Sequence, residues 1–402
     1  MIKKHLFILI CGILTLTGCI DFNDATQTIT ATIQVQLPDE IASISLAGHT
    51  VTIVGPQTAS ATTDEEGTAV FSGIIPDVYS ISVAWKITAE EYAEATGQAV
   101  ENKKFTISGN LPAQTLTATN LEPILLTTNI SQDQSILISK VYYQGSKDDN
   151  GKNYTASKYL ELYNNSDESI DISGLYIGLL EADNPMGFTL GNVPDSVFAK
   201  QVFRIPADKA FVVEPGKTVL LVNSAVDHTQ KGASGEPNLT DADFEAKDYS
   251  TSRPHENNSQ VPALEATYLV YTTVSYLNLI QGGPCGVIIF NTDEDPADWN
   301  NVYKEGKNAG AKFKQIPNHV IIDAVEILRN KAQTGPDPNS KRLYDFLDAG
   351  YTYTDAISGY DGYLVYRKTA SITDDGRRVL MDTNNSSNDF EVSNELKPRE
   401  YK

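Results

Sequence analysis

The chain is poor in the residues that most often carry chemistry. It has five histidines, three cysteines and two tryptophans in 402 residues. His49, His228, His255 and His319 lie far apart, and there is no H-E-x-x-H or C-x-x-C. The dense ligand spacing of a zinc site is therefore missing. A G-x-S-x-G elbow, a P-loop and a dinucleotide fingerprint are missing too. The long apolar run is residues 6–16, LFILICGILTL, which is only eleven residues. A membrane-spanning helix needs about 20. Positive charge is also short, with 31 Lys and Arg against 52 Asp and Glu, a net of −21. Such a balance keeps a protein soluble and repels nucleic acid and anionic lipid surfaces, which argues against a DNA-binding role.

The short apolar run has a clear use. Lys3 and Lys4 precede it, and Leu16-Thr17-Gly18-Cys19 follows it. A basic start, an apolar stretch and small residues make residues 1–18 a signal peptide. The box ending at Cys19 resembles a bacterial lipobox, and the resemblance implies that Cys19 carries the lipid. Several acyl chains anchor stably where one would be marginal. Ile20, rather than aspartate, follows the cysteine; in lipoproteins this favours the outer membrane. Asp21 and Asp24 partly match the acidic export signal of Bacteroides-group surface lipoproteins, leaving the membrane face open. Residues 19–27 then form a tether. Loss of residues 1–18 removes two lysines and no acid, taking the net charge to −23. With Cys11 gone and Cys19 lipidated, only Cys285 remains, and no intrachain disulfide can form.

From about residue 28 short runs rich in Val, Ile, Thr and aromatics alternate with turn residues, the pattern of an all-β chain. ITATIQVQL, HTVTIVG, TAVFSGI, YSISVAW, KKFTISG and QTLTAT read as strands. One helix is expected after Thr88, which forms a capping box with Glu91. Thr63, Asp64 and Gly67 build a T-D-x-x-G turn ahead of Phe71, and Pro76-Asp77 makes the next turn. This run resembles the prealbumin-like, or carboxypeptidase regulatory-like, β-sandwich, here over residues 28–129. That family implies a rigid spacer or binding sandwich without catalysis.

A second pattern fills residues 130–402. ELYN (Glu161 to Asn164), DISG (Asp171 to Gly174), the Pro215-Gly216 turn, IDAV (Ile322 to Val325) and NSSNDF (Asn385 to Phe390) follow in order. Together they resemble the lamin-tail domain, an immunoglobulin-like sandwich. The two-domain layout resembles a family of Bacteroides-group lipoproteins with no assigned activity. The fold expected is thus two β-sandwiches. Residues 181–200, 227–265, 292–315 and 330–360 are polar and read as loop insertions, where function or mobility concentrates.

Within this frame Glu161 alternates with Tyr159 and Tyr163 on one strand face. The motif implies a structural acceptor serving amides of the Asn164 to Ser169 turn, with Asn164, Asp171 and Gly174 as further structural residues. No cofactor is expected beyond calcium, to which Asp293, Asp295 and Asp298 can offer oxygens, but Asp295-Pro296 reads better as a helix cap. Cys285 reads as a small apolar residue entering a buried strand. Tyr351, Tyr353 and Tyr360 crowd one insertion and form the expected contact surface for a protein or glycan. Asp195-Ser196-Val197 matches a short O-glycosylation pattern of Bacteroides-group secreted proteins. The expected function is a lipid-anchored, non-enzymatic binding or accessory protein at the outer membrane, presented to an outer-membrane protein or a carbohydrate. A metal-assisted hydrolase sited in the insertions and a purely structural envelope component are the alternatives.

Overall fold

The computed structural model describes residues 27–98, 105–119, 122–132, 135–251 and 254–401. Cys19, the signal peptide and most of the tether lie outside these residues. The first sandwich pairs two sheets. Thr68–Ile74, Ile29–Gln36 and Ile124–Thr127 form one. Thr58–Thr62, Thr50–Val54, Asp77–Ile87, Phe105–Leu116 and Asn129–Gln132 form the other. Alternating residues meet between them: Ile33 and Val35, Val51 and Ile53, Phe71, Ile81 and Val83. Period-two alternation buries one face of each strand here.

Helix Ala89–Thr96 closes one end. Thr88 and Glu91 form both halves of the capping box, and Gly97 ends the helix at φ 73°. Tyr92 stacks on Phe105 at 4.0 Å, filling the small core beneath. At the T-D-x-x-G turn, Asp64 Oδ1 accepts the Thr68 amide at 2.7 Å, and Gly67 adopts φ 82°.

KKFTISG and QTLTAT are one strand, not two. Phe105–Leu116 pairs continuously with Asp77–Ile87. Residues 112 and 113 are absorbed by a register shift opposite Ser80, a bulge that carries the strand through a proline. Thr58–Thr62 is a strand without a sequence signal, because TASAT is small, polar and half exposed at a sheet edge.

The second sandwich is larger. One sheet runs Phe244–Glu245, Thr218–Val222, Tyr159–Asn164, Ile136–Tyr142, Leu364–Arg367 and Phe390–Ser393. The other runs Asn301–Tyr303, Lys312–Pro317, Ser196–Arg204, Tyr176–Leu180, Val287–Phe290 and Ile321–Val325, with Glu265–Leu269 pairing beside Ser196–Arg204. Leu160, Leu162, Ile177, Phe203, Leu221, Ile289 and Val365 meet in the core between them.

The four polar insertions are packed covers rather than free loops. Residues 227–265 lay Leu239, Ala242 and Val261 on Tyr142, Tyr159 and Leu220, the outer face of the first sheet. Residues 292–315 and 330–360 lay Trp299, Leu343 and Tyr344 on the outer face of the second. Both faces of the inner strands are therefore buried, which is why every residue of Tyr159–Asn164 and Tyr176–Leu180 is inside. Residues 181–200 include the start of strand Ser196–Arg204. Ser196 is only 5% exposed, and its hydroxyl accepts from Gln315 Nε2 at 3.1 Å, so the glycosylation reading fails on access.

Candidate binding grooves and the carboxylates that hold them

Several of the acids are buried and wired to backbone amides. Glu245 accepts the amides of Ala225 at 2.6 Å and Asn258 at 3.0 Å, fixing the 227–265 cover. Asp248 accepts those of Ser250 and His255. Glu326 Oε2 accepts Arg342 N at 2.6 Å and Leu343 N at 2.8 Å. Asp348 accepts the amides of Glu326, Gly350 and Ser386. A carboxylate offers several acceptor sites without a donor of its own, so it suits a turn that leaves amides unpaired.

Glu161 belongs to this set, but not with the partners expected. It accepts the Arg399 amide at 2.6 Å and the Tyr401 hydroxyl, and pairs with Lys140 at 3.2 Å. The amides of the Asn164 to Ser169 turn do not reach it. Asn164 holds that turn: its Oδ1 accepts Ser166 N at 3.0 Å, and its Nδ2 donates to Glu168 O and Val213 O. Side chains alternate along a strand, so Glu161 points across the sheet to the C-terminal segment instead. Asp171 Oδ1 accepts the amides of Ser173 and Phe211, and Gly174 takes φ 82°. The Ser173 bond first, then that from Phe211, holds the Asp171 carboxyl below its ordinary range.

Asp295 caps the short 3-10 turn Pro296–Asp298 by accepting Ala297 N at 2.9 Å, with Pro296 at its first position. Asp298 is the last residue of that turn, its amide donating to Asp295 O at 3.0 Å, and Asp293 lies two residues before the cap. Among the described residues no three His, Cys, Asp or Glu side chains converge to hold a metal ion. Cys285 is buried in the main core, and desolvation raises its thiol.

The 330–360 cover carries exposed aromatics, though Tyr249 and Tyr271 elsewhere are more exposed. Tyr351 and Tyr353 lie together, ring centroids 6.3 Å apart, with Tyr351 half-buried and Tyr353 37% exposed. Tyr360 takes a different neighbour, Lys147, 5.1 Å above its ring. A further aromatic, Phe346, is not among the residues the sequence singles out. It is 47% exposed and stacks on Tyr344 at 5.3 Å. Tyr344 is itself pinned by its hydroxyl, which donates to Val193 O at 2.6 Å. Three adjoining grooves of about 620, 220 and 640 Å³ all include Phe346 in their walls. The first also takes in His319, Asn384 and Asn318, whose Oδ1 is buried without a hydrogen-bond partner. The second spans to Asn110 in the first sandwich, whose amide donates to Ala349 O at 3.4 Å. The signal for this site is YDF within RLYDFLDAG, two aromatics flanking an aspartate.

The cover has a pH signature. Burial pushes Glu326 up from 4.5 to about 7 and Asp348 up from 3.8 to about 6. Both carboxyls bind protons more tightly folded than unfolded. Stability is thus greatest below the unfolded values and falls as pH rises through the folded ones. For Glu326 the fall between pH 4.5 and 7 amounts to about 3 kcal/mol at most. Glu326→Gln should flatten that segment of a melting-temperature-versus-pH curve and leave the part due to Asp348. An unchanged slope would count against the assignment.

Residues 214–396 match the family described as a protein of unknown function, DUF4876, and residues 129–277 match the Lamin Tail Domain. The crystal structure of a DUF4876 family protein from Bacteroides thetaiotaomicron VPI-5482, at 2.50 Å, resembles this chain with a TM-score of 0.58 at 20% identity. The likeness covers 90% of this chain and 94% of that one, and it speaks to the fold. No curated protein matches. The chain is all-β, carries an immunoglobulin-like lamin tail domain, and over residues 214–396 is similar to DUF4876.

Proposed function

We propose that the chain is a lipid-anchored, non-catalytic accessory protein of the outer membrane that binds a saccharide in the grooves around Phe346. The lipid enters at Cys19, the prealbumin-like sandwich acts as a spacer, and the lamin tail domain carries the groove. The observation that carries the reading is Phe346 itself. Its loop is fixed by Glu326 and Asp348, yet its ring stays in solvent beside Tyr344. A well-ordered exposed aromatic among amides and an unpaired acceptor suits a sugar, which stacks an apolar face and hydrogen-bonds at its rim.

Phe346→Ala is expected to abolish retention on immobilised cell-surface polysaccharide, with His319→Ala, in the wall of the first groove, weakening it less; Tyr351 and Tyr353 line none of the three grooves. Retention unchanged in both would reject the site. Capture of an outer-membrane protein instead, lost in the same variants, would replace the saccharide by a protein partner. Cys19→Ala should release the chain from the membrane fraction, and continued co-sedimentation would refute the anchor.

A further inference from the structure

Three stretches far apart in sequence meet beside the C-terminal segment. They are the Pro215-Gly216 turn, the hairpin of strands Thr369–Ile372 and Arg378–Leu380, and residues 399–401. Between them opens a cleft of about 500 Å³ whose charged side chains are Lys217, Arg377, Arg378, Arg399 and Asp375. Four cations thus face one carboxylate, in a chain whose acids outnumber its bases 52 to 31.

The four cations are not equivalent. Arg399 is neutralised, its guanidinium donating to Asp243 at 2.9 Å and Asp241 at 3.2 Å. Arg378 is tied to Thr369 Oγ1 and to Tyr401 O. Lys217 is exposed, and its ammonium has no partner among the described residues. Arg377 donates one Nη1 bond to Asn165 O at 3.0 Å. Its other guanidinium donors make no hydrogen bond among the described residues.

Arg377 is also held in place. Its stem lies against Gly216, where a side chain would come within 2.9 Å of its Cγ, and Gly216 itself sits at φ 72°. Asp375, which also lines the cleft, accepts from Thr373 Oγ1 and the Arg377 amide. The result is a fixed planar fork with a flexible point charge beside it.

We propose that this cleft binds a tetrahedral oxyanion, a phosphate or sulfate group. The guanidinium fork matches two of its oxygens and the Lys217 ammonium a third. Screening confines the surrounding negative field to about 8 Å at physiological salt, so a single anionic group can enter where an extended polyanion is repelled. This site is separate from the Phe346 grooves and stands whether or not they bind sugar.

The test is calorimetric titration of the mature chain at low salt with three kinds of probe. These are inorganic phosphate, a sulfated oligosaccharide with its desulfated form, and phosphatidylglycerol vesicles. Acetate and phosphatidylcholine vesicles serve as controls. Lys217→Gln should weaken binding about tenfold, because it removes one unshared charge. Arg377→Met combined with Lys217→Gln should abolish it. Asp243→Asn, which loosens the hold on Arg399, should strengthen it. Binding of the free ion, of the sulfated sugar alone, or of the anionic vesicles alone identifies the natural source of the group. Failure of every phosphate and sulfate probe overturns the proposal. So does binding unaffected by Lys217→Gln, whose exposed side chain plays no part in folding, or acetate binding as tightly as phosphate.

Discussion

Arg367→Met is expected to destabilise the protein by about 3 to 5 kcal/mol at neutral pH, the cost of removing one partner from a buried ion pair. Arg367 is 2% exposed and crosses the interior of the second sandwich. Its Nη2 donates to Asp323 at 2.7 Å, and Nη1 lies 3.3 Å from Asp382 and 3.2 Å from Asp389. Its Nε donates to Ile138 O at 2.9 Å, and its guanidinium lies over Phe390. Asp323 belongs to one sheet and Ile138 to the other, and Asp323 Oδ2 accepts Ile138 N at 2.6 Å. The arginine therefore pairs with three carboxylates, balancing one of their charges, and stitches two sheets. Without it those carboxylates must stay charged and unpaired or take up protons. The deficit should shrink as pH falls from 7 toward 4, because protonation relieves it. Urea unfolding of both forms across that range checks the claim. A deficit below about 1 kcal/mol at pH 7, or one independent of pH, would show that the network is not held as described.

Many strands of both sandwiches are legible because period-two alternation is a local property, but the polar strands Thr58–Thr62, Asn301–Tyr303 and Lys312–Pro317 are not. ITATIQVQ and YLELYN can be placed from a short window of sequence, and the helix from its capping box. What holds those strands is not legible. Asp323 and Arg367 stand 44 residues apart, and Glu161 and Arg399 stand 238 apart. No periodicity links them. The motif residues Glu161, Asn164, Asp323 and Asp389 look in sequence like punctuation of a family pattern; in space they are the polar lattice that crosses and closes the sandwich, with Phe390 packed in the core under Arg367. The insertions mislead for a related reason. Their polarity suggests loops in water, whereas several of their acids accept backbone amides inside the protein, and their few apolar residues cap outer sheet faces. Phe346 is silent because one exposed aromatic in a polar stretch has the same sequence signature as a buried one.

Glu161→Gln is expected to have an effect of similar size, and its origin can be separated. The carboxylate is completely buried, against Lys140 on the neighbouring strand and beneath residues 399–401. Lys140 also donates to the carbonyls of Lys397 and Glu400 at 3.0 and 2.7 Å and sits 4.1 Å from the Tyr401 ring centroid. Glu161 and Lys140 together thus clamp the C-terminal segment over the sheet. Glutamine keeps an acceptor for the Arg399 amide, but it removes the charge facing the Lys140 ammonium. That leaves a buried cation with carbonyl partners only, at a cost of about 3 kcal/mol or more. Burial lowers the Lys140 pKa even with the Glu161 charge opposing it, so in the variant the lysine should lose its proton still more readily. A lysine whose folded value is depressed binds protons more weakly folded than unfolded, so the variant should regain stability as pH rises toward the lysine's ordinary range. Removing residues 397–402 deletes the other side of the clamp. Groups that act as one unit give non-additive losses, so the truncated Glu161→Gln chain should be little less stable than the truncated chain alone. Chemical denaturation of the four forms measures this directly. Full additivity of the two losses would mean that Glu161 stabilises the sheet independently of the segment it touches.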